Sequence, residues 1–529
     1  MRNTRRRHPL AWLLAACLLA GAGAPGAVPA PVREPQTPEP PAQEQSLAAV
    51  DAYLEDQLAA MGIPGAALVV VSNGRQVHAA AFGRADASGR PMSIRTPVLL
   101  ASTSKSLTAI AVLQQVEAGR LALDEPVLTY LPWFRLRDPR YPSITVRHLL
   151  HQSSGLSTAG STAFEAFDSE APGALEQGVR DLAGVGLTGP PGESFSYSNA
   201  NYNILGLLVQ TVSGQPFGEY MREHVFTPLD MEHSHTDRAA ARADGLATGH
   251  TLWFGASWHE TATPAPAAGT PSIRMYASAQ DLGQELTALL EGGRYRDRRL
   301  LGQESVETML APAIAVDESK DYAMAWFARP LQEAADPSLP PEAVQLPRLL
   351  EHQGEWGNTH TYKAMVPASG LGVALVINGN DPSAPSRLKE LDYNVLRILH
   401  GQAPQPVREQ EDWLQRSGWA LALVLLLAEL ASLALSLVLL VRKPAAVTGR
   451  SRLLYLWAAA ALALDGLLVW LCLVHAPARF AVDLAVFVRQ LPDVGVTLLP
   501  ALALAVLWPL PRTIWLLARA RRQALLSRE

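Results

Sequence analysis

Three apolar stretches crowd the C-terminal end of this chain, and a water-soluble fold has no interior large enough to hide them all. Gly418 to Val441 and Leu453 to Val474 are each long enough to cross a bilayer. The third, about Val494 to Leu517, is interrupted by Pro500, Pro509 and Pro511. Arg442, Lys443, Arg450 and Arg452 crowd the loop after the first stretch, and Arg519, Arg521, Arg522 and Arg528 follow the third. The loop between the second and third is balanced, with Arg479 and Arg489 against Asp483 and Asp493. The bias of basic residues toward the cytoplasm predicts three crossings (418–441, 453–474 and 494–517), with everything before Gly418 outside.

The opposite end predicts the same sidedness independently. Arg2, Arg5, Arg6 and Arg7 precede a short apolar run, Leu10 to Leu19, and Ala20-Gly21-Ala22 offers a small-x-small cleavage site. That is the pattern of a secretory signal over residues 1–22. Leu14-Ala15-Ala16-Cys17 also fits a lipoprotein box. Residues 23–45, rich in Pro, Ala and Glu, read as a tether without a core. Residues 46–401 carry the compact region, 402–417 a second polar linker, and 418–529 the membrane anchor.

Composition narrows the partners. A net charge of −5 and the lack of a long basic stripe in the compact region exclude nucleic-acid binding as an expectation. Cys17 and Cys472 are the two cysteines, one in the leader and one in a membrane segment. The exported region therefore has no disulfide, thiol nucleophile or cysteine metal site. Met231-Glu232-His233-Ser234-His235 holds two histidines without a third ligand at a recognisable spacing, so no metal is expected there. Glu429 and Asp465 fall near the middle of their spans, where acids are costly; pairing between helices or a functional role is the expectation.

The compact region opens with Leu47, Val50, Leu54, Leu58 and Met61 at helical spacing, ended by Gly62. Ala66 to Val71 and Gln76 to Phe82 read as strands joined at Asn73-Gly74, a pair that tolerates positive φ. Tyr322 to Phe327, Thr361 to Val366 and Leu371 to Ile377 read as further strands, and Ser386 to His400 as a closing helix. Strands at both ends with helical sequence between them predict an α+β, or mixed α/β, fold: one sheet flanked by helices, with an inserted helical lobe.

Three short patterns carry chemistry. In Ser102-Thr103-Ser104-Lys105, a helix starting at the serine puts Ser102 and Lys105 one turn apart on one face. A lysine there takes the serine proton if burial lowers its pKa; the alternative is a capping serine with a solvated lysine. In Tyr197-Ser198-Asn199, the phenol can relay a proton and the amide can hold a substrate or steady the lysine. The alternative is a packed tyrosine ring with Asn199 capping a helix over Tyr202 to Val209. The third, Glu351-His352-Gln353-Gly354 running into Glu355, stands just before an expected strand, where Gly354 would let substrate lie along the strand edge; the alternative is a surface turn.

In this order and at these separations, the three patterns resemble the signature of the serine β-lactamase and penicillin-binding protein superfamily, especially class C β-lactamases, D-aminopeptidases and related esterases. The resemblance spans about Ala48 to Leu399 and includes Leu123-Asp124-Glu125-Pro126-Val127, Ser153-Ser154-Gly155-Leu156 and Phe226-Thr227-Pro228-Leu229. It implies Ser102 as the acylated nucleophile, Lys105 as its base and Tyr197 as the proton relay. It also implies Asn199, His352, Gly354 and Glu355 as substrate-binding positions, with an oxyanion hole from the N–H groups of Ser102 and Glu355. One departure matters: many β-lactamases carry Lys-Thr-Gly where this chain has His352-Gln353-Gly354. A neutral histidine is a weaker partner for a drug's carboxylate, so the third pattern is nearer that of the D-amino-acid peptidases and esterases. Signal, hydrolase and three spans together also resemble the periplasmic prodrug-cleaving peptidases of non-ribosomal peptide pathways, which remove an acylated D-Asn cap. The expected function is a hydrolase anchored in the bilayer, acting without cofactor on a small peptide, amide or ester. An esterase or β-lactamase, or a catalytically silent ligand sensor, are the alternatives.

Overall fold

The computed structural model describes residues 42–158, 170–171, 173–262, 265–334, 346–407, 417–441, 450–475, 484, 488 and 491–526. The expected signal, nearly all of the first tether and most of the linker before Gly418 lie outside these residues.

Helix α1 (Ala42–Met61) buries Leu47, Val50, Leu54 and Leu58 and ends at Gly62, whose φ is +64°. The Ile63 N–H turns back to the Leu58 carbonyl at 2.9 Å, so the left-handed glycine closes the helix. Strand β1 (Gly65–Ser72) follows and pairs antiparallel with β2 (Arg75–Gly83). Every residue from Gly65 to Val71 is buried, because β1 divides two cores. Ala66, Leu68 and Val70 face α1 and α5 (Pro385–Leu399), while Ala67, Val69 and Val71 face the opposite core, which includes residues of α2 (Ser104–Glu117) and α4 (Ala279–Leu290). The period-two alternation of a strand serves two apolar faces here instead of one.

Among the described residues the main sheet has eight strands in the order β2-β1-β12-β11-β10-β9-β8-β7, each joined antiparallel to its neighbour. Here β7 is Ile314–Asp317, β8 Lys320–Tyr322, β9 Phe327–Pro330, β10 Arg348–Trp356, β11 Thr359–Val366 and β12 Leu371–Ile377. Smaller strands β3 (Val98–Leu99) and β6 (Tyr276–Ala277) pair beside the sheet. Strands β4 (His250–Trp253) and β5 (Ser257–Glu260) form a hairpin, and β13 (Gly379–Asn380) pairs with β4. The inserted helical lobe is built around α3 (Asn199–Ser213), whose Ile204, Leu205 and Leu208 pack with Leu149 and Leu150. The fold is mixed α/β, a sheet between helical layers with a helical insertion.

One expected strand needs correction, and a strand stands where none was expected. Tyr322 to Phe327 is a turn: Tyr322 ends β8, Phe327 starts β9, and the two are paired. The Ala323 N–H reaches the Trp326 carbonyl at 2.8 Å and Ala325 has φ +68°. Ala323 to Trp326 are all buried, so the apolar sequence of the turn mimics a strand. Glu351 to Gly354 does precede the expected strand, β11, but it lies within a strand of its own, β10, and the turn between the two comes at Gly357-Asn358.

At the C-terminus, α6 (Gly418–Val441) and α7 (Arg450–Trp470, continued by a π-turn to His475) are long and apolar enough to cross a membrane. The third stretch is not one straight helix. It is α8 (Pro492–Leu507) and α9 (Pro509–Leu526), bent by 47° at Trp508. Pro509 and Pro511 lack the N–H groups that would carry the ladder across the junction, whereas Pro500 is accommodated inside α8. Among the described residues there are thus two such helices, or three if the bent pair is one span. Within the bundle, buried Arg512 pairs with Asp465 and donates to Ser432 Oγ at 2.9 Å. The carboxylate oxygens of Glu429 are buried and meet no hydrogen-bond partner among the described residues.

Candidate active site

The chain enters the site through a strained turn. Ala101 has φ +49°, a left-handed conformation that costs a residue with a Cβ about 1–2 kcal/mol. Neighbouring groups hold it. The Leu100 N–H donates to the Met275 carbonyl at 2.8 Å, and the Leu100 carbonyl accepts from Thr361 Oγ1 at 2.7 Å and Thr103 Oγ1 at 2.8 Å. Ser102 therefore sits in a 3-10 turn, Ala101–Thr103, and the α-helix starts two residues later than expected, at Ser104. The turn still leaves Ser102 and Lys105 together.

Lys105 is fully buried, yet its ammonium donates to Ser102 Oγ at 3.0 Å, Asn199 Oδ1 at 2.8 Å and the Ser272 carbonyl at 3.0 Å. It also lies 4.8 Å from the centre of the Tyr197 ring. The Tyr197 hydroxyl donates to Ser102 Oγ at 2.9 Å. An amine and a phenol thus converge on one oxygen from residues that are 3 and 95 positions away. The solvated-lysine alternative does not describe this lysine. Nor does Asn199 cap a helix with its side chain: it is the first residue of α3 after Ser198, and its amide oxygen turns to Lys105.

The loop that presents Tyr197 is pinned by a buried amide cluster. Gln152, at φ +56°, accepts from Ser196 N at 2.7 Å on its carbonyl and from Ser198 N at 2.9 Å on its side chain. Asn201 Nδ2 donates to Gln152 Oε1 at 2.5 Å, and Asn201 Oδ1 accepts from Ser154 Oγ at 2.6 Å. Both residues flanking Tyr197 are thereby fixed to the segment 152–154.

Strand β10 forms the facing wall. A Cβ built on Gly354 would stand 2.1 Å from the Leu100 carbonyl oxygen and 2.3 Å from Thr361 Oγ1. Only glycine allows this strand to approach the nucleophile turn so closely. Glu355, next in the strand, is half-buried and its carboxylate lies 3.7 Å from Lys389. His352 is almost wholly buried and packs beside the rings of Tyr197, Tyr322 and Phe327. Its Nδ1 lies 2.7 Å from the Gln353 carbonyl, which makes that nitrogen the protonated one, and Nε2 has no hydrogen-bond partner among the described residues. Burial, then the nearby Lys105 charge, push its pKa down to about 3. His352 is therefore neutral at ordinary pH and brings no positive charge to a substrate anion.

All seven expected positions meet at one place, the junction of the α2 turn, the start of α3 and the edge of β10. Several supporting groups escaped the sequence reading. Ser272 acts through its backbone carbonyl, which any residue type supplies. Gln152 and Asn201 are ordinary amides in sequence and become recognisable once Tyr197 is placed. Behind the site, fully buried Lys363 on β11 pairs with Glu285 of α4 at 2.7 Å and also contacts Ser106, one residue beyond Lys105. Elsewhere, His233 and His235 both reach Asp244, at 3.0 and 2.8 Å.

The beta-lactamase family model matches residues 50–395. Protein flp of Staphylococcus aureus (strain MW2) is 26% identical over 356 residues, covering 66% of this chain and 66% of flp. The putative penicillin-binding protein PbpX of Bacillus subtilis (strain 168) is 29% identical over 288 residues, covering 52% of this chain and 65% of PbpX. The chain thus spans just under two thirds of the length of these curated relatives. An octameric penicillin-binding protein homologue from Pyrococcus abyssi superposes with a TM-score of 0.56 at 24% identity, over 68% of this chain and 78% of that one, a likeness of fold. From the helix before β1 to the closing helix α5, the chain belongs to the beta-lactamase family, within the penicillin-binding-protein-like superfamily of serine hydrolases.

Proposed function

We propose that this chain is a membrane-anchored, extracytoplasmic serine hydrolase that cleaves a small peptide or amide, next to a D-configured residue, through an acyl-enzyme on Ser102. The observation that carries the reading is the convergence of Lys105 Nζ and Tyr197 OH on Ser102 Oγ, at 3.0 and 2.9 Å. A neutral Lys105 amine would give its two N–H groups to Asn199 and the Ser272 carbonyl, leaving its lone pair for the Ser102 proton. Oγ then attacks the substrate carbonyl, and the developing oxyanion is met by the N–H groups of Ser102 and Glu355. Tyr197 passes a proton to the leaving nitrogen as the C–N bond breaks. Water attacks the ester, and the same groups return the proton to Ser102. Asn199, His352 and Gly354 line the path of the substrate, and the chemistry requires no cofactor.

A neutral His352 supports a peptide or ester substrate over a β-lactam, since it cannot pair with the drug's carboxylate. An esterase using the same residues is the second reading. A silent sensor has no need for all three of Ser102, Lys105 and Tyr197.

The proposed topology puts residues 46–401 outside and the Arg519–Arg522 end in the cytoplasm, with α8 and α9 together forming a bent third span. In support, the starts of α6 and α8 both touch the hydrolase domain, through Trp419 and Asp493. The test is covalent labelling of the purified chain by a fluorophosphonate, followed by a product screen against N-acyl-D-amino-acid amides, muropeptides, short-chain esters and nitrocefin. Labelling at Ser102 and peptide or amide turnover well above nitrocefin turnover is the expected result. Nitrocefin hydrolysis equal to the best peptide would overturn the substrate class, and absence of any adduct would overturn the enzyme.

A further inference from the structure

The hairpin β4–β5 ends in a turn whose residues do not suit it. The Ala256 N–H closes the turn on the Trp253 carbonyl at 3.0 Å, and the two central residues, Phe254 and Gly255, have φ of +54° and +63°. Such turns favour Asn or Gly at both places. Phe254 takes up left-handed backbone and leaves its ring 37% exposed. Among the described residues of the hydrolase domain, Val77 is the one other large apolar side chain with comparable exposure; the rest lie from Leu421 onward, in the helical bundle.

What the turn touches explains the choice. The Phe254 N–H donates to Asp493 Oδ2 at 2.9 Å, and the Phe254 ring meets Trp419 edge-on at 5.3 Å. Asp493 is 3% exposed and lies in the first turn of α8, where its other oxygen accepts from Val494 N at 2.8 Å. A carboxylate there is favoured by the helix N-terminus and is held by the hairpin at the same time. Trp419 lies in the first turn of α6. Trp470, 48% exposed, closes the α-helical part of α7 and stacks on His475. Aromatic rings at the ends of apolar helices mark the level of lipid headgroups, and Phe254 stands beside the ring at the start of α6.

We propose that the β4–β5 hairpin is a membrane-docking element: its tip, Phe254, enters the headgroup layer of the bilayer that holds α6 to α9, and its backbone locks the hydrolase domain to the bundle through Asp493. This rests on the membrane-spanning reading of the helices. It gives the domain a fixed pose. The root of the same hairpin, Thr248, Gly249, Glu260 and Thr261, walls a cavity of about 640 Å³ that reaches Leu99, three residues before Ser102. A hairpin seated in the interface therefore sets the height of that cavity above the lipid.

The test uses the full chain carrying C17A and C472A, with one cysteine introduced at Ala256 beside the tip, or at Ala118 beyond α2 as the control. Each is labelled with an NBD dye and reconstituted, at less than one copy per vesicle, into phosphatidylethanolamine/phosphatidylglycerol liposomes containing a phospholipid with a shallow nitroxide. Quenching at position 256 should exceed that at 118 several-fold. F254N, which suits the left-handed turn and keeps the hairpin, should reduce the quenching toward the control. F254N should leave fluorophosphonate labelling of Ser102 in detergent at the parent rate. Equal quenching at 256 and 118, or quenching that F254N does not change, would overturn the proposal; a tip covered by a protein partner or a second copy would give the first of these. Carbonate extraction separates the two failures. A chain released by carbonate does not span the membrane, and the docking element falls with that reading; a chain that resists carbonate but shows no quenching at 256 retains its spans and loses the docking element alone.

Discussion

Two lysines are wholly buried in the hydrolase domain, and they meet different kinds of partner. Lys363, on β11, faces a carboxylate: Glu285 lies 2.7 Å away and Ser106 shares the contact. Lys105, on the neighbouring helix, donates to a hydroxyl, an amide oxygen and a main-chain carbonyl. Burial draws the Lys363 pKa down while Glu285 pulls it back up; a carboxylate partner is what keeps a buried ammonium charged. Contacts of this kind suit the base role proposed for Lys105. Burial by itself therefore says little about catalysis; the charge of the partner says more.

The comparison breaks most decisively at Ser102, the proposed nucleophile. Ser102→Ala should abolish acyl-adduct formation, and Lys105→Ala should slow it by about 10²-fold or more, while thermal unfolding shows both variants folded. Adduct formation at the parent rate in either would mean that the reacting groups lie elsewhere. Lys363→Met should behave the other way round. It strands Glu285 in the core and should cost about 3–5 kcal/mol of stability, with Ser102 labelling per folded molecule little changed. The double variant K363M/E285M should regain most of that loss. Chemical denaturation of the three proteins decides the point, and a double variant no more stable than K363M would show that the pair is not the unit that matters.

The smallest effect concerns acid. His352 holds a proton less readily in the folded chain, with its pKa near 3, than in the unfolded chain. Between these values the unfolded chain binds more protons, so stability is complete above about pH 6.5 and is lost as pH falls toward 3. At pH 5 the loss from this group is roughly 2 kcal/mol. His151, whose pKa burial lowers to about 4, acts with the same sign. His352→Asn should therefore flatten the pH dependence of the melting temperature between pH 7 and 5 without abolishing it. An unchanged slope would mean that His352 is not held neutral by its surroundings.

Much of this was legible in the residues themselves. Ser102 and Lys105 are near neighbours in sequence, and Gly354 had to be small wherever it stood. Those patterns survive any error of a few residues in element boundaries, which is why the helix starting at Ser104 did not separate the pair. The buried turn after Tyr322 was not legible, because apolar content follows burial as well as strand structure. The three prolines of the third stretch did announce a kink, but not its place at Trp508, which depends on which of them falls at a junction. Ser272, Gln152 and Asn201 act through a carbonyl and two amides whose value depends on distant residues brought close, and no local spacing announces that.

The buried Arg512–Asp465 pair bears on how such a chain is made. In the proposed topology, α7 enters the membrane with Asp465 near its middle, and an isolated carboxylate there resists insertion by about 2.5–3.5 kcal/mol. Its partner is encoded 47 residues later. In that topology the acid finds its partner only when α9 is in place, and a product truncated before Arg512 would carry an orphaned carboxylate in its second span.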